Sequence, residues 1–283
     1  MIERLRNHRA FYPYIAKDFL TIIILAIRRT RFNRSDLRVL MFILSSPILH
    51  LARFRGVLAT PIGKVVITGD ESLRAIVYGL FKSHFCDIPN LRYVSTRKTF
   101  PIIVDVGANL GDFTLAMCRD SAKIVAIEPS SENFLNLRLN IRANALENVI
   151  LQNLAAHSGS GLVVLTREGS SAHITSSGDG EAVKGERIDS LLESLEIEAV
   201  DILKIDVQGH EIPTILGMSE YLKKKSVKLL VVEVHPKKLV SVDEVCKLMM
   251  TYGYALAFKD NYLFHHPHLY FGPSHEGHDP HFS

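Results

Sequence analysis

Asp105-Val-Gly-Ala-Asn-Leu-Gly-Asp-Phe113 is the stretch on which the fold turns. Pro101-Ile-Ile-Val-Asp-Val106 runs into it, a short apolar segment of the kind that forms a strand buried on both faces. Asp112 to Arg119 leaves it as the start of a helix. Between the two, Gly107 and Gly111 predict a tight strand-to-helix turn whose backbone can come close to a ligand, and the first amides of the helix suit a carboxylate.

The same alternation continues outward. Lys123–Ile127, Val149–Gln152, Asp201–Asp206 and Val227–Val234 read as further strands. Ser131–Asn144, with Leu135, Leu139 and Ile141 inward, reads as a helix, as do Ile212–Leu222 and Val242–Tyr252. On the amino-terminal side, Leu58–Thr68 predicts a hairpin and Ser72–Phe85 a helix. Leu162–Thr166 reads as an inserted hairpin arm, and Tyr254–Phe258 with Asn261–Phe264 as a closing hairpin. Strand-helix alternation of this kind gives an α/β, doubly wound, mostly parallel sheet, and ligands then lie beyond the carboxyl ends of the strands, at the switch point.

That rule directs attention to the residues just after each strand. Glu128 ends the second parallel strand, 21 residues after Gly107. An acid there can accept hydrogen bonds from both ribose hydroxyls of an adenosine. NAD and S-adenosylmethionine both carry such a ribose, but the dinucleotide pattern G-x-G-x-x-G is not met, because Asn109 and Asp112 stand at its second and third glycine positions. Asp112 would repel a pyrophosphate, whereas acidic neighbours favour the ammonium and sulfonium of S-adenosylmethionine. The expected cofactor is therefore S-adenosylmethionine, with a nicotinamide-dependent dehydrogenase as the alternative enzyme. The expected cofactor contacts are Asp105, Gly107, Ala108, Asn109, Gly111 and Glu128, with Asn153 and Ala155 near the adenine and Ser170 and Ser171 within its reach.

The chain resembles the FkbM family of methyltransferases. Asp105–Thr114, Ile127-Glu-Pro-Ser130, Asn153-Leu-Ala155, Lys204-Ile-Asp-Val-Gln-Gly-His-Glu211 and Glu233-Val-His235 carry the likeness, in order, across residues 70 to 265. The resemblance implies a class I methyltransferase fold, Rossmann-like, and O-methylation of a hydroxyl on a sugar, glycan or related small molecule. Gln208 stands where many members carry a second acid.

Methyl transfer to a hydroxyl is an in-line displacement that needs alignment and a base for the hydroxyl proton. Asp206, His235, Lys204 and His210 are the expected catalytic group, with Lys204 and Asp206 on one strand face by the period of two. Asp206, Glu211, Glu233 and His235 offer oxygen and imidazole donors suited to Mg or Mn, but without close ligand spacing, and no divalent metal is expected.

Residues 1–56 carry 11 Lys and Arg against 3 Asp and Glu, +8, while the remainder carries −5 of the chain's +3. This basic, apolar, helical segment reads as a cap on the catalytic domain of residues 57–270, with peripheral contact to an anionic membrane surface as the other reading, through Arg28, Arg29, Arg31 and Arg34. Its apolar runs, Phe19–Ile27 and Val39–Ala52, fall short of the ~20 residues a span requires. A non-catalytic cofactor-binding module docked through this segment is the alternative from outside enzymology. Nucleic acid is not an expected partner, because the aromatic residues do not interleave with the basic ones. Cys86, Cys118 and Cys246 form no paired motif, which fits a reducing cytoplasmic setting, with Cys118 as a small core residue. Residues 271–283 read as a His-rich flexible tail, and His265, His266, His268, His275, His278 and His281 as solvated.

Overall fold

The computed structural model describes residues 53–274, apart from position 96 and the stretches 167–172, 176–179, 236–239 and 261–265, together with a few positions between 38 and 45. Most of the basic segment of residues 1–56, and with it both of its readings, lies outside the described residues, as do Ser170, Ser171 and the Asn261–Phe264 arm.

The described chain opens with a hairpin of β1 (Gly56–Thr60) and β2 (Gly63–Ile67). Helix α1 (Asp70–Lys82) passes through one π-helical turn, Ser83–Asp87, into α2 (Ile88–Val94). Then come β3 (Phe100–Val106), α3 (Asp112–Met117), β4 (Ser121–Ile127), α4 (Ser131–Ala143) and β5 (Val149–Gln152). An insertion follows: β6 (Ala155–Ala156), β7 (Gly161–Thr166), β8 (Ile174–Thr175) and β9 (Gly180–Glu186). The chain continues with α5 (Ile188–Ser194), β10 (Val200–Ile205), α6 (Glu211–Leu216), α7 (Ser219–Lys223), β11 (Val227–Glu233), α8 (Val242–Thr251), β12 (Tyr254–Asp260) and β13 (His268–Pro273).

Seven strands form the central sheet in the order β12-β13-β11-β10-β3-β4-β5. The five from β11 to β5 are parallel, and β13 and β12 close the far edge antiparallel. The strands are apolar on both faces, so both faces pack. Val104, Val106, Leu203, Ile205, Leu230 and Val232 belong to one core. Ile103, Ile202, Ile124, Leu229 and Val231 belong to the other. From β3 the chain winds outward through β4 and β5, then returns to place β10 on the other side of β3. The switch point therefore lies between β3 and β10, where Asp206 N donates to Val106 O at 2.9 Å.

Four elements differ from the sequence reading. In α4 the inward face is Asn133, Asn136, Leu137, Asn140 and Ile141, while Leu135 faces solvent, 46 % exposed. The face is polar because it binds backbone: Asn140 accepts from Val66 N at 2.6 Å and donates to Leu110 O at 2.7 Å, and Asn144 accepts from Lys64 N at 2.8 Å. These bonds satisfy one edge of the β1–β2 hairpin. The helix expected over 212–222 breaks into α6 and α7, because Gly217 packs against the His157 carbonyl so closely that a Cβ there would stand 2.1 Å from the oxygen. Asp189 then caps the second piece through Glu220 N and Tyr221 N at 3.1 and 3.2 Å.

The helix expected over 72–85 ends at Lys82 and passes into the π turn. Finally, β13 takes the first residues of the stretch read as a flexible tail. Tyr270 and Phe271 are buried there because β13 fills the slot between β11 and β12. Cys118 is buried, as expected. No helix among the described residues is long and apolar enough to cross a membrane.

Candidate active site

The loop after β3 is built from backbone. Gly107 N and Ala108 N both donate to Ile127 O at 2.9 Å, which ties the loop to the end of β4. Gly107 has φ 82° and packs on Asp206, where a Cβ would sit 1.9 Å from the carbonyl oxygen. No other residue type fits that position without moving the switch point. Gly111, at φ 91°, opens α3 against Leu137. Asn109 is also left-handed, φ 51°, a conformation asparagine tolerates better than most residues.

Glu128 closes this side. Its Oε2 accepts from Asn109 N at 2.9 Å, and its Oε1 from Ser130 N at 3.0 Å and Asn133 Nδ2 at 3.4 Å. Burial pushes its pKa up to about 7, against the pull of the Ser130 and Asn109 amides. Asn153 secures the following turn through Glu128 O and Pro129 O at 2.9 and 3.0 Å. Ala155 is buried in the inserted sheet with Leu165 and Val183. Asp112 does not face the loop's ligand side as the sequence argument assumed. It packs half-buried against α1, with Ser83 Oγ donating to its Oδ2 at 2.6 Å and Gly79 packed on its side chain. Burial raises its pKa, and it pins α3 to the π turn.

The other side of the switch point is built from charged side chains. Asp105 and Lys204 are register partners on β3 and β10, with Lys204 Nζ 3.6 Å from Asp105 Oδ1 and 3.5 Å from Asp206 Oδ2. Thr114 Oγ1 donates to Asp105 Oδ2 at 2.7 Å, and the Phe113 ring lies under the Lys204 ammonium at 5.4 Å. Asp206, Glu233 and His235 meet at the ends of β10 and β11. His235 Nε2 is 3.7 Å from Asp206 Oδ1 and 3.9 Å from Glu233 Oε1.

Two residues absent from the expected catalytic group organise this pocket. Lys82, the last residue of α1, bonds Asp206 Oδ2 at 2.5 Å and also bonds Glu233 Oε2. Glu211, the first residue of α6, accepts from Gly209 N at 2.9 Å and meets His235 Nδ1 at 2.6 Å. Glu211 stood among possible donors in the sequence, beside Gly209. Lys82 gave no signal beyond being a lone charge at the end of an apolar helix.

These contacts fix the His235 tautomer. The Gln208 side-chain nitrogen lies 3.2 Å from Asp206 Oδ1 and 2.9 Å from His235 Nε2. A carboxylate only accepts, so that amide donates to both, and His235 Nε2 carries a lone pair. Its proton then sits on Nδ1 and is donated to Glu211. Burial lowers the His235 pKa, but the Glu211 bond and the Asp206 and Glu233 carboxylates outweigh it, and the net pKa is raised. For Asp206, burial and Glu233 push the pKa up, yet Lys82, Lys204 and His235 hold it below the usual range. Burial likewise pushes Glu233 up, while Lys82 and His268 hold it well down.

His210 does not join the pocket as expected. It caps α6 and lies against His157, ring centroids 4.9 Å apart, and burial with that neighbour lowers its pKa to about 4. Two histidines read as solvated are not. His268 is buried on β13, 3.3 Å from Glu233 Oε2 and 3.5 Å from Asp87 Oδ1. His266 lies over His235 at a centroid distance of 4.3 Å. The β11–β13 pairing carries them there, with Glu233 opposite His268. Asp206, Glu233 and His235 present ligand atoms within 4.8 Å of one another, a donor set that could hold a metal, with Lys82 bonded to two of the three.

Residues 105–256 match the family described as the methyltransferase FkbM domain. Among curated proteins the chain is similar to hexuronic acid methyltransferase AglP of Haloferax volcanii, 30% identical over 151 residues, 52% of this chain and 61% of that protein. The chain thus matches about three fifths of that relative's length. Among solved structures it is similar to the methyltransferase FkbM from Methylobacillus flagellatus, at 13% identity and TM-score 0.45 over 86% of this chain and 63% of that one. It is also similar to magnesium protoporphyrin IX methyltransferase from Synechocystis, at 9% identity and TM-score 0.46 over 70% and 84%. The family match spans more than half of the chain, and the chain belongs to the FkbM methyltransferase domain family. The dehydrogenase alternative has no counterpart in that family.

Proposed function

We propose that the chain, as a member of this family, transfers a methyl group from S-adenosylmethionine to a hydroxyl of a sugar or glycan, with His235 as the base. The observation that carries the reading is the Glu211–His235 pair, whose Nε2 accepts from the Gln208 amide and lies beside Asp206, the residue on which Gly107 packs. The name of the Haloferax relative, which specifies a hexuronic acid, supports a sugar acceptor.

The loop suits the cofactor. Gly107 lets the loop pack directly on the Asp206 backbone, which brings the loop and the charged pocket together. Asn109 Oδ1 is buried without a hydrogen-bond partner among the described residues, an acceptor to which a ligand could donate. Glu128 is a buried acid whose pKa is pushed up, and hydroxyl donors would hold it ionised. When bound, S-adenosylmethionine supplies an electrophilic methyl group.

The remaining work belongs to side chains. His235 Nε2 takes the hydroxyl proton, and Glu211 holds the ring in the required tautomer. The imidazolium so formed is stabilised by Asp206 and Glu233, both kept ionised by Lys82. Gln208 must then turn its carbonyl oxygen toward Nε2. Lys204 fixes Asp105 and Asp206 relative to each other, which keeps the acceptor side aligned with the loop. No metal is assigned to this pocket. The catalytic domain is taken as residues 57–270, with residues 1–56 as its cap or as a membrane-surface contact. Sedimentation of the full chain with anionic but not neutral vesicles, reversed by salt, would favour the surface contact; no sedimentation would favour the cap.

The reading is tested by incubating the protein with methyl-labelled S-adenosylmethionine and a panel of hexuronate and hexose glycosides. Label is expected on a sugar oxygen, located by NMR of the product. Label on nitrogen or carbon instead would overturn the hydroxyl assignment.

A further inference from the structure

We propose that Lys82 is the built-in cation of the acceptor pocket: its ammonium takes the role that a divalent ion plays in a carboxylate–imidazole cluster, and removing it opens the cluster to a metal. The inference deepens the proposed acceptor site and rests on that reading for its catalytic consequence, but not for its test.

The donor set is that of a metal centre. Asp206, Glu233 and His235 each offer one ligand atom, and these atoms lie within 4.8 Å of one another. Two hard oxygens and an imidazole suit Mg or Mn. The far nitrogen of His235 is held by the Glu211 carboxylate at 2.6 Å, the arrangement that orients metal-bound imidazoles. Two carboxylates this close and this buried cannot both stay ionised without a cation.

Lys82 is that cation. Its ammonium is 2.5 Å from Asp206 Oδ2, bonds Glu233 Oε2, and is almost fully buried. Burial alone would lower its pKa, but Asp206 and Glu233 outweigh burial and hold it well above the usual value. Lys204, 3.5 Å from the same Asp206 oxygen, adds a second ammonium, so an incoming dication meets two positive charges at short range.

The backbone is shaped to make this delivery. Lys82 directly precedes the π turn, a feature frequent at functional sites. Lys82 and Asp87 are five residues apart, a spacing that leaves side chains about 140° apart on a regular α-helix. The wider turn brings both toward one cluster, Lys82 on Glu233 and Asp87 on His268. The carboxylates are thus held ionised and fixed without a metal. Asp206 Oδ1 is left facing His235 and Gln208.

The test is Mn(II) titration followed by the loss of the free-ion electron paramagnetic resonance signal, on the full chain. Wild type is expected to show no stoichiometric site, and Lys82→Ala to take up one Mn(II). In the Lys82→Ala background, Glu211→Gln should weaken that binding by roughly 10–100-fold, as loss of a carboxylate behind a metal-bound histidine does. A merely structural lysine predicts neither effect. A wild-type protein that binds one Mn(II), lost in Asp206→Asn, would overturn the proposal, and so would a folded Lys82→Ala that binds none. Lys82→Met keeps the side-chain length and serves if Lys82→Ala does not fold.

Discussion

The two halves of the candidate site are made from different materials. The Gly107–Gly111 loop and Glu128 use backbone amides, left-handed residues and one acid whose partners come from the loop, the following turn and the start of α4. The pocket at the ends of β10 and β11 uses side chains from widely separated segments. Lys82 comes from α1, Asp206 from the end of β10, Glu211 from the start of α6, Glu233 and His235 from the end of β11, and His268 from β13. The first half is a local solution to binding a ligand. The second is a long-range assembly whose charges hold one another in place. A substitution in the first should therefore act on cofactor affinity, and one in the second on turnover.

The largest expected effect tests that division. His235→Ala removes the base and should reduce turnover by about 10²–10⁴, while cofactor affinity changes far less. Equal losses in both quantities would erase the distinction between the halves.

Glu128 gives the converse. Its pKa is pushed up to about 7, and ribose hydroxyls donate to its ionised form. As pH falls through 7 the acid takes up a proton, so cofactor affinity should weaken, approaching about tenfold per pH unit on the acid side. Glu128→Ala should cost about 1–3 kcal/mol of binding and flatten that dependence. A calorimetric affinity constant between pH 6 and 8, to within roughly the RT scale of error, would remove Glu128 from the cofactor site.

A smaller effect sharpens the tautomer assignment. The His235 pKa is raised, so turnover should climb with pH through a midpoint above the ordinary histidine value, as the neutral base becomes available. Gln208→Glu places a carboxylate against Nε2, stabilises the imidazolium, and should move that midpoint upward by about one pH unit. A downward move in the pH–rate profile would mean that Gln208 does not face His235 in the working enzyme.

The contrast also explains what could be read from the sequence. The five parallel strands, the Gly107 loop and the Glu128 turn were legible because each is contiguous, with apolar runs bounded by glycines or by an acid at a fixed spacing. Lys82 was not, because its partners lie more than a hundred residues away and the π turn that aims it has no local signature. His268 was hidden for the opposite reason. Its surroundings in sequence look like a breaker-rich tail, and only the pairing of β13 with β11 buries it. In α4 the hydrophobic pattern misled, because the buried face carries asparagines that bind backbone of the hairpin and the loop. The break between α6 and α7 depends on the approach of His157 to Gly217, a contact across the fold.

The central claim is that the Gly107 loop with Glu128 binds S-adenosylmethionine, and that the charged pocket does the chemistry. The most direct test is calorimetric titration of the full chain with S-adenosylmethionine and with NAD, repeated on Glu128→Ala and His235→Ala. The account predicts one site of micromolar affinity for S-adenosylmethionine, weakened in Glu128→Ala and nearly unchanged in His235→Ala, with no heat from NAD. Tight binding of NAD, or S-adenosylmethionine binding indifferent to Glu128, would contradict it.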